Sequence, residues 1–195
     1  MRERISMPGQ FKLVVGVDVP WVTSWSGEEI TGAAPCRTVG GRLALMQASA
    51  PGAGKPQYSK NHLVRQRLTV ARMLCPMCGE PTEEGDRWTQ IAARRCAGQL
   101  RARGGQVRAD IADDRVMIDA GSIAPLHRRC VDRSMKYCPH LRASDDVMVM
   151  RFPREWIVLP LLIKAETGPG IAVAFLQLCG VTQTIDRRWR AETAA

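Results

Sequence analysis

The sequence predicts a small α+β fold organised around a bound metal ion. Three observations predict it. Short apolar runs of strand length alternate with stretches of helical spacing, and Gly and Pro punctuate them. Cys75 and Cys78 form a C-x-x-C-G motif. His127 and Cys130 then recur three residues apart, just after Pro125, where a helix is expected to begin. The chain has 195 residues, of which 45% are hydrophobic and 24% charged. That balance suits one ordinary globular unit and excludes general disorder.

Along the chain, residues 11–17 (FKLVVGV) read as a strand closed by Asp18 and Pro20, and residues 42–46 as a second. Residues 48–57 (ASAPGAGKPQ) form a loop. Its Gly52, Gly54 and Lys55 resemble a phosphate loop only superficially, because the glycine spacing is wrong and Pro56 follows the lysine. Ser59 is placed to cap a helix over 60–74. Leu63, Val64, Leu68, Val70, Ala71 and Leu74 make its apolar side. Arg65, Gln66, Thr69 and Arg72 recur opposite, as a solvated basic face or, in the sharper reading, as phosphate contacts through Arg65 and Arg72. Residues 88–93 and 115–118 read as strands and 119–122 as a turn. The helix that opens near His127 should stop near Cys138, because Pro139 disfavours helical geometry before it. Residues 147–152 and 156–163 look like a strand pair around Pro153, residues 171–178 are a helix or a buried strand, and the charged tail 186–195 should fray. Three segments result: 1–58 with strands and a loop, 59–142 as a metal-binding core, and 143–195 with the strand pair and apolar segment, together one compact unit.

Seven cysteines are an odd number, and residues 1–10 lack the apolar run of a signal peptide. A reducing cytoplasm and metal ligation are therefore expected rather than disulfides. No apolar run approaches the ~20 residues of a membrane helix. Cys36, Cys96 and Cys179 have no ligand-spaced neighbour. Cys75-Pro-Met-Cys78-Gly79 is a zinc-knuckle spacing, in which two thiolates reach one ion from a tight turn that the glycine permits. A redox C-x-x-C would open a helix after a strand, whereas here a helical segment precedes it. His127 and Cys130 are the best second pair, since residues three apart share a helix face. Cys138 and His140 are alternates. Cys130 and Cys138 stand eight residues apart, about 12 Å along a helix, which is too far for one zinc. A knuckle followed by a helix whose first turn carries the second pair describes a treble-clef-like zinc finger, with residues 79–126 as an insertion.

Residues 75–81 and 125–141 (PLHRRCVDRSMKYCPHL) also resemble a group of uncharacterised zinc-binding proteins of actinobacteria and their phages, with C-x-x-C-G, a later His- or Cys-containing pair, and a C-P-[HA]-L end. The resemblance spans the middle of the chain. It implies a metal site and no named activity.

Net charge is +9, which invites a nucleic-acid or other polyanionic partner. Of the 28 basic residues 23 are Arg, a bias that genome composition alone also produces. Arg94, Arg95, Arg101, Arg103 and Arg108 form a stretch without an acid, and the first four are the nominated nucleic-acid contacts. A nuclease of the His-Me (HNH) type, built on a treble clef, needs a catalytic histidine ahead of the second ligand pair. None of His62, His127 and His140 lies between Cys78 and His127. Ligation by Cys138 or His140 would free His127 and reopen that reading. Asp110, Asp113 and Asp114, and Asp145 with Asp146, read as acidic turns rather than a two-metal site. The expectation is a cytoplasmic, zinc-stabilised, non-catalytic binding protein contacting nucleic acid or another anionic partner. The alternatives are an accessory protein-interaction factor of phage or actinobacterial type and a divergent treble-clef nuclease.

Overall fold

A computed structural model of the chain describes residues 13–90, 92–143, 147–164 and 170–182. The tail at 186–195 and the acidic pair Asp145–Asp146 lie outside the described residues. The fold is mixed α and β. Ten strands appear among the described residues: β1 (Thr23–Trp25), β2 (Ile30–Pro35), β3 (Leu43–Gln47), β4 (Pro56–Asn61), β5 (Trp88–Thr89), β6 (Ala93–Cys96), β7 (Val116–Asp119), β8 (Met150–Arg151), β9 (Glu155–Lys164) and β10 (Ile171–Val181). Four helices join them: α1 (Leu63–Arg72), α2 (Ala97–Ala102), α3 (Arg128–Tyr137) and α4 (Pro139–Ala143).

The apolar segment whose periodicity left helix and strand open is β10, the central strand of a six-stranded sheet. It pairs antiparallel with β9 along one edge. Its other edge is shared, by β3 in parallel at Val173↔Ala44 and by β7 in antiparallel from Cys179 to Val181. β2 extends the sheet beyond β3, and β6 extends it beyond β7. Strands from the N-terminal, middle and C-terminal thirds of the chain therefore share one sheet. Burial on both faces explains the apolar run of β10, which Gln177 alone interrupts with a polar side chain. Leu176 and Leu178 join Val70 and Met73 at the α1 end in one cluster, and Cys179 and Val181 join Leu100 of α2 in another.

Four expectations are corrected. Residues 13–19 form a turn rather than a strand, because Asp18 accepts a bond from the Val14 amide (2.8 Å) and Gly16 adopts φ 82. Residues 11 and 12 lie outside the described residues. The helix expected from Ser59 starts at Leu63, since 56–61 pair with β1 as β4 and His62 is the N-cap. Residues 147–152 and 156–163 are not a pair: β8 joins β5, and β9 joins β10. Pro160 is tolerated in β9 because it faces Leu176, whose amide and carbonyl both bond the opposite edge, so the missing N–H falls on the free edge.

The largest correction concerns α1. Most of its expected solvated face is buried: Arg65, Gln66 and Thr69 are at or below 5% exposure, as is Arg67 beside them, and Ala71, assigned to the apolar side, is exposed. Arg65 donates to both oxygens of Glu28 (2.7 and 2.8 Å) and to the Thr23 carbonyl. Arg67 serves the Ala174 and Leu45 carbonyls at 2.8 and 2.5 Å. Phosphate contact by Arg65 is thereby excluded, whereas Arg72 is exposed. His62 donates from Nε2 to the Ala48 carbonyl (2.9 Å) and accepts at Nδ1 from the Arg65 amide (3.3 Å). Burial holds His62 below the usual imidazole range, and the Arg65 and Arg67 charges push the same way.

Candidate metal centre

The knuckle grows directly out of α1. Met73 ends the helix in the left-handed region (φ 49), and its carbonyl accepts from the Thr82 amide. Leu74 and Pro81 form an isolated antiparallel bridge. Inside the turn the Gly79 amide bonds the Cys75 carbonyl, and the Cys75 amide bonds the Glu80 carbonyl, both at 2.8 Å. Gly79 has φ 82, and a Cβ there would meet the Trp21 ring at 2.9 Å, so only glycine fits. Trp21 and Val22 donate their amides to Met77 and Pro76, anchoring the turn from outside.

The second pair stands at the start of α3, with His127 as N-cap and Cys130 in the first turn. His127 offers no side-chain cap, because its ring is engaged elsewhere. Asp86 takes over: its Oδ1 accepts from the Arg128 amide (2.8 Å) and from the Trp88 indole (3.0 Å). The carboxylate also suits the positive end of the helix dipole.

The ligand atoms of Cys75, Cys78, His127 and Cys130 all lie within 4.8 Å of one another. Zinc–sulfur bonds of about 2.3 Å in a tetrahedron place sulfurs about 3.8 Å apart, so the set fits one ion. His127 Nδ1 stands 3.4 Å from Cys78 Sγ and 4.0 Å from Cys130 Sγ. Its Nε2 is 3.0 Å from the Pro81 carbonyl and must donate there, which leaves Nδ1 as the free electron pair facing the thiols. Cys75 is fully buried, and Cys130 is 6% exposed. Burial, with the neighbouring thiols, pushes Cys130 up to about 12, and burial raises Cys75 as well. Three clustered thiols are a costly place for negative charge unless a cation shares it.

Sequence reasoning missed three contributors. The Pro81 carbonyl orients His127, Asp86 caps α3, and Arg129 lies beside Cys78 and Cys130, whose sulfurs raise its already high basicity. Three thiolates around a divalent ion would leave one net negative charge, and Arg129 stands where it would balance it. None of the three has a spacing signature. Neither alternate ligand joins the set: Cys138 is the C-cap at the far end of α3, and His140 is exposed on α4. Cys36, Cys96 and Cys179 are free thiols outside the set.

Three of the four arginines nominated for nucleic acid have partners within the fold. Arg95 Nε donates to Asp119 (2.9 Å). Arg101 is paired with Asp113 and donates to the carbonyls of Arg108 and Ile111. Arg94 is half-buried and donates to Met148 Sδ (3.2 Å). Arg103 is exposed. Of the acidic turn, Asp110 and Asp113 serve as arginine partners.

No helix among the described residues is long and apolar enough to cross a membrane. Compared with family models, curated proteins and solved structures, the chain matches none.

Proposed function

We propose that the chain is a non-catalytic binding protein stabilised by one zinc ion held by Cys75, Cys78, His127 and Cys130, and that it contacts an anionic partner, nucleic acid first, through its arginines. The observation that carries the metal reading is the convergence of four ligand atoms within 4.8 Å. Three thiolates and one imidazole favour zinc over the hard cations, which prefer oxygen. Four protein ligands complete a tetrahedron and leave no open position for an activated water, which is the signature of a structural site. The layout supports a treble-clef-like finger: a knuckle, an excursion containing the β6–β7 antiparallel pair, and a helix whose first turn carries the second ligand pair. With His127 among the thiols, it is not available to activate water, which argues against the nuclease alternative.

The anionic-partner reading rests on a net charge of +9 and on arginines at the surface, among them Arg72 and Arg103. Protein purified without chelator should contain about one zinc per chain, and chelation should unfold it. A salt series with duplex and single-stranded oligonucleotides tests the partner. Binding must weaken steeply with salt, with a log–log slope of about −0.7 to −0.9 for each phosphate contacted. No binding at low salt would reduce the basic excess to composition and leave the protein-interaction reading.

A further inference from the structure

On the face of the sheet opposite α1, the turn that follows α2 overhangs β9 and borders a half-open cavity of about 220 Å³. Arg42, Arg95 and Arg103 stand around it, Asp119 lies at its base, and Leu100 and Leu159 form an apolar wall. These side chains come from four separate stretches of the chain, so no sequence motif announces them.

The charges do not cancel. Asp119 is the single acid of this lining, and it is already engaged: Arg95 Nε, the Gln177 side-chain amide (2.7 Å) and the Gly121 amide (2.9 Å) all donate to it. One carboxylate against three guanidinium groups leaves the cavity at +2. The guanidinium charges around this carboxylate repel a cation, which argues against a metal site here. Arg42 and Arg103 are exposed and make no side-chain hydrogen bond or ion pair among the described residues. Arg95 spends only its Nε on Asp119, so its terminal amino groups remain as donors. Planar guanidinium forks match the oxygens of a phosphoryl group in geometry as well as charge. The volume lies below the range of pockets that enclose whole drug-sized ligands, so it fits a head group rather than an entire molecule. The leucine wall suits the organic part next to that head group.

We propose that this cavity binds a phosphomonoester dianion, with Arg42 and Arg103 as the principal ligands and Arg95 as the third. The inference rests on the reading of the chain as a binder of an anionic partner and gives that partner a point of attachment. A free nucleotide and the phosphorylated end of a nucleic acid present the same group.

The probes are adenosine 5′-monophosphate, adenosine, and a single-stranded oligonucleotide with either a 5′-phosphate or a 5′-hydroxyl, titrated calorimetrically into the zinc-loaded full chain at low salt. The monophosphate or the 5′-phosphorylated strand should bind one to one, and its unphosphorylated counterpart at least tenfold more weakly. Arg42→Gln and Arg103→Gln should each weaken binding about tenfold. Arg42→Lys should retain part of the affinity. Both positions are exposed and have no side-chain partner among the described residues, so denaturant midpoint and zinc content should not change. Binding of the nucleotide alone assigns the site to a small molecule, and binding of the 5′-phosphorylated strand alone assigns it to a nucleic-acid end. Equal binding of the two strands, unaltered by Arg42→Gln/Arg103→Gln, overturns the cavity and leaves the anionic-partner reading standing. Nucleotide binding without any affinity for either strand keeps the cavity and removes nucleic acid as partner. No binding of any probe removes both.

Discussion

Two of the buried polar clusters among the described residues differ in how their members are spaced along the chain. The thiol–imidazole set between the knuckle and α3 joins two pairs of residues, each pair three apart. The set beneath α1 joins Glu28 to Arg65 across 37 positions and adds His62 and the Trp25 and Ala50 amides. Both replace water by fixed partners. Only the first can be found by spacing, because metal ligands must meet at one point and short chain segments deliver them in pairs. The second obeys no such rule. A helix face of Arg, Gln and Thr looks the same whether it meets solvent or meets strand carbonyls that need donors. The lesson is that polarity along a helix reports how many donors it carries, and the neighbouring backbone decides whether they face water.

The comparison breaks most visibly at the metal. Cys75→Ser should abolish zinc retention and cost more than about 5 kcal/mol, because zinc binding is part of the folding free energy. Metal analysis with thermal melting checks this, and retained zinc would dismiss the ligand set. The α1 cluster ranks second. Glu28→Gln strands Arg65, whose side chain is 7% exposed, and should cost about 3–5 kcal/mol in urea denaturation with zinc content preserved. An apolar replacement of both partners, Glu28→Leu with Arg65→Leu, should recover much of that loss, which a contact that stabilises on balance would not permit.

Acid separates the clusters further. His62 titrates lower in the folded chain than in the unfolded one. Just below about pH 6.5 the unfolded chain therefore binds a proton that the folded chain does not, and stability declines as pH falls, by up to about 1.4 kcal/mol per unit. Glu28 is held below the usual carboxylate range: burial would raise it, and the bonds from Arg65, Trp25 and Ala50 outweigh that. Its contribution is lost only at lower pH still, as pH falls through the depressed value. Asn at position 62 keeps the capping role. His62→Asn should flatten the wild-type slope between pH 7 and 5, and an unchanged slope would assign the acid sensitivity to the metal ligands. The smallest effects belong to the remaining sulfurs. Cys36→Ala, Cys96→Ala and Cys138→Ala should leave zinc unchanged, as should His140→Ala. Cys179→Ala, at a fully buried position, should cost about 1 kcal/mol without metal loss. Loss of zinc in any of these would redraw the centre.

Legibility follows the same divide. α3 runs Arg128–Tyr137 between His127 and Cys138, where Pro125 and Pro139 bound it in the sequence. The four ligands meet as spaced. Helix α1 is legible in its existence and in the packing of Leu63 and Val70, but the burial of Arg65, Gln66 and Thr69 opposite is not, since Glu28 and the carbonyls of β3 and β10 are remote in sequence. The partners of β8 and β9 were misassigned because adjacency along the chain suggested a hairpin, whereas β10 supplies a longer apolar edge and β5 takes the short strand. Asp86, Arg129 and the Arg42–Arg103 cavity depend on tertiary approach alone.

Gln66 stands where β3 has ended on one edge of β10 and β7 has not yet begun. Its side-chain amide accepts from the Leu176 amide (3.0 Å) and donates to the Leu176 carbonyl (2.7 Å), as a neighbouring peptide unit would. One backbone amide in the middle of the sheet is thus shielded by a side chain of a helix. Hydrogen–deuterium exchange at Leu176 consequently times the lifting of α1 from the sheet, while its neighbours on β10 time the parting of strands. Since α1 runs straight into the knuckle, that single proton becomes a remote gauge of whether the cysteines at its end are gripped.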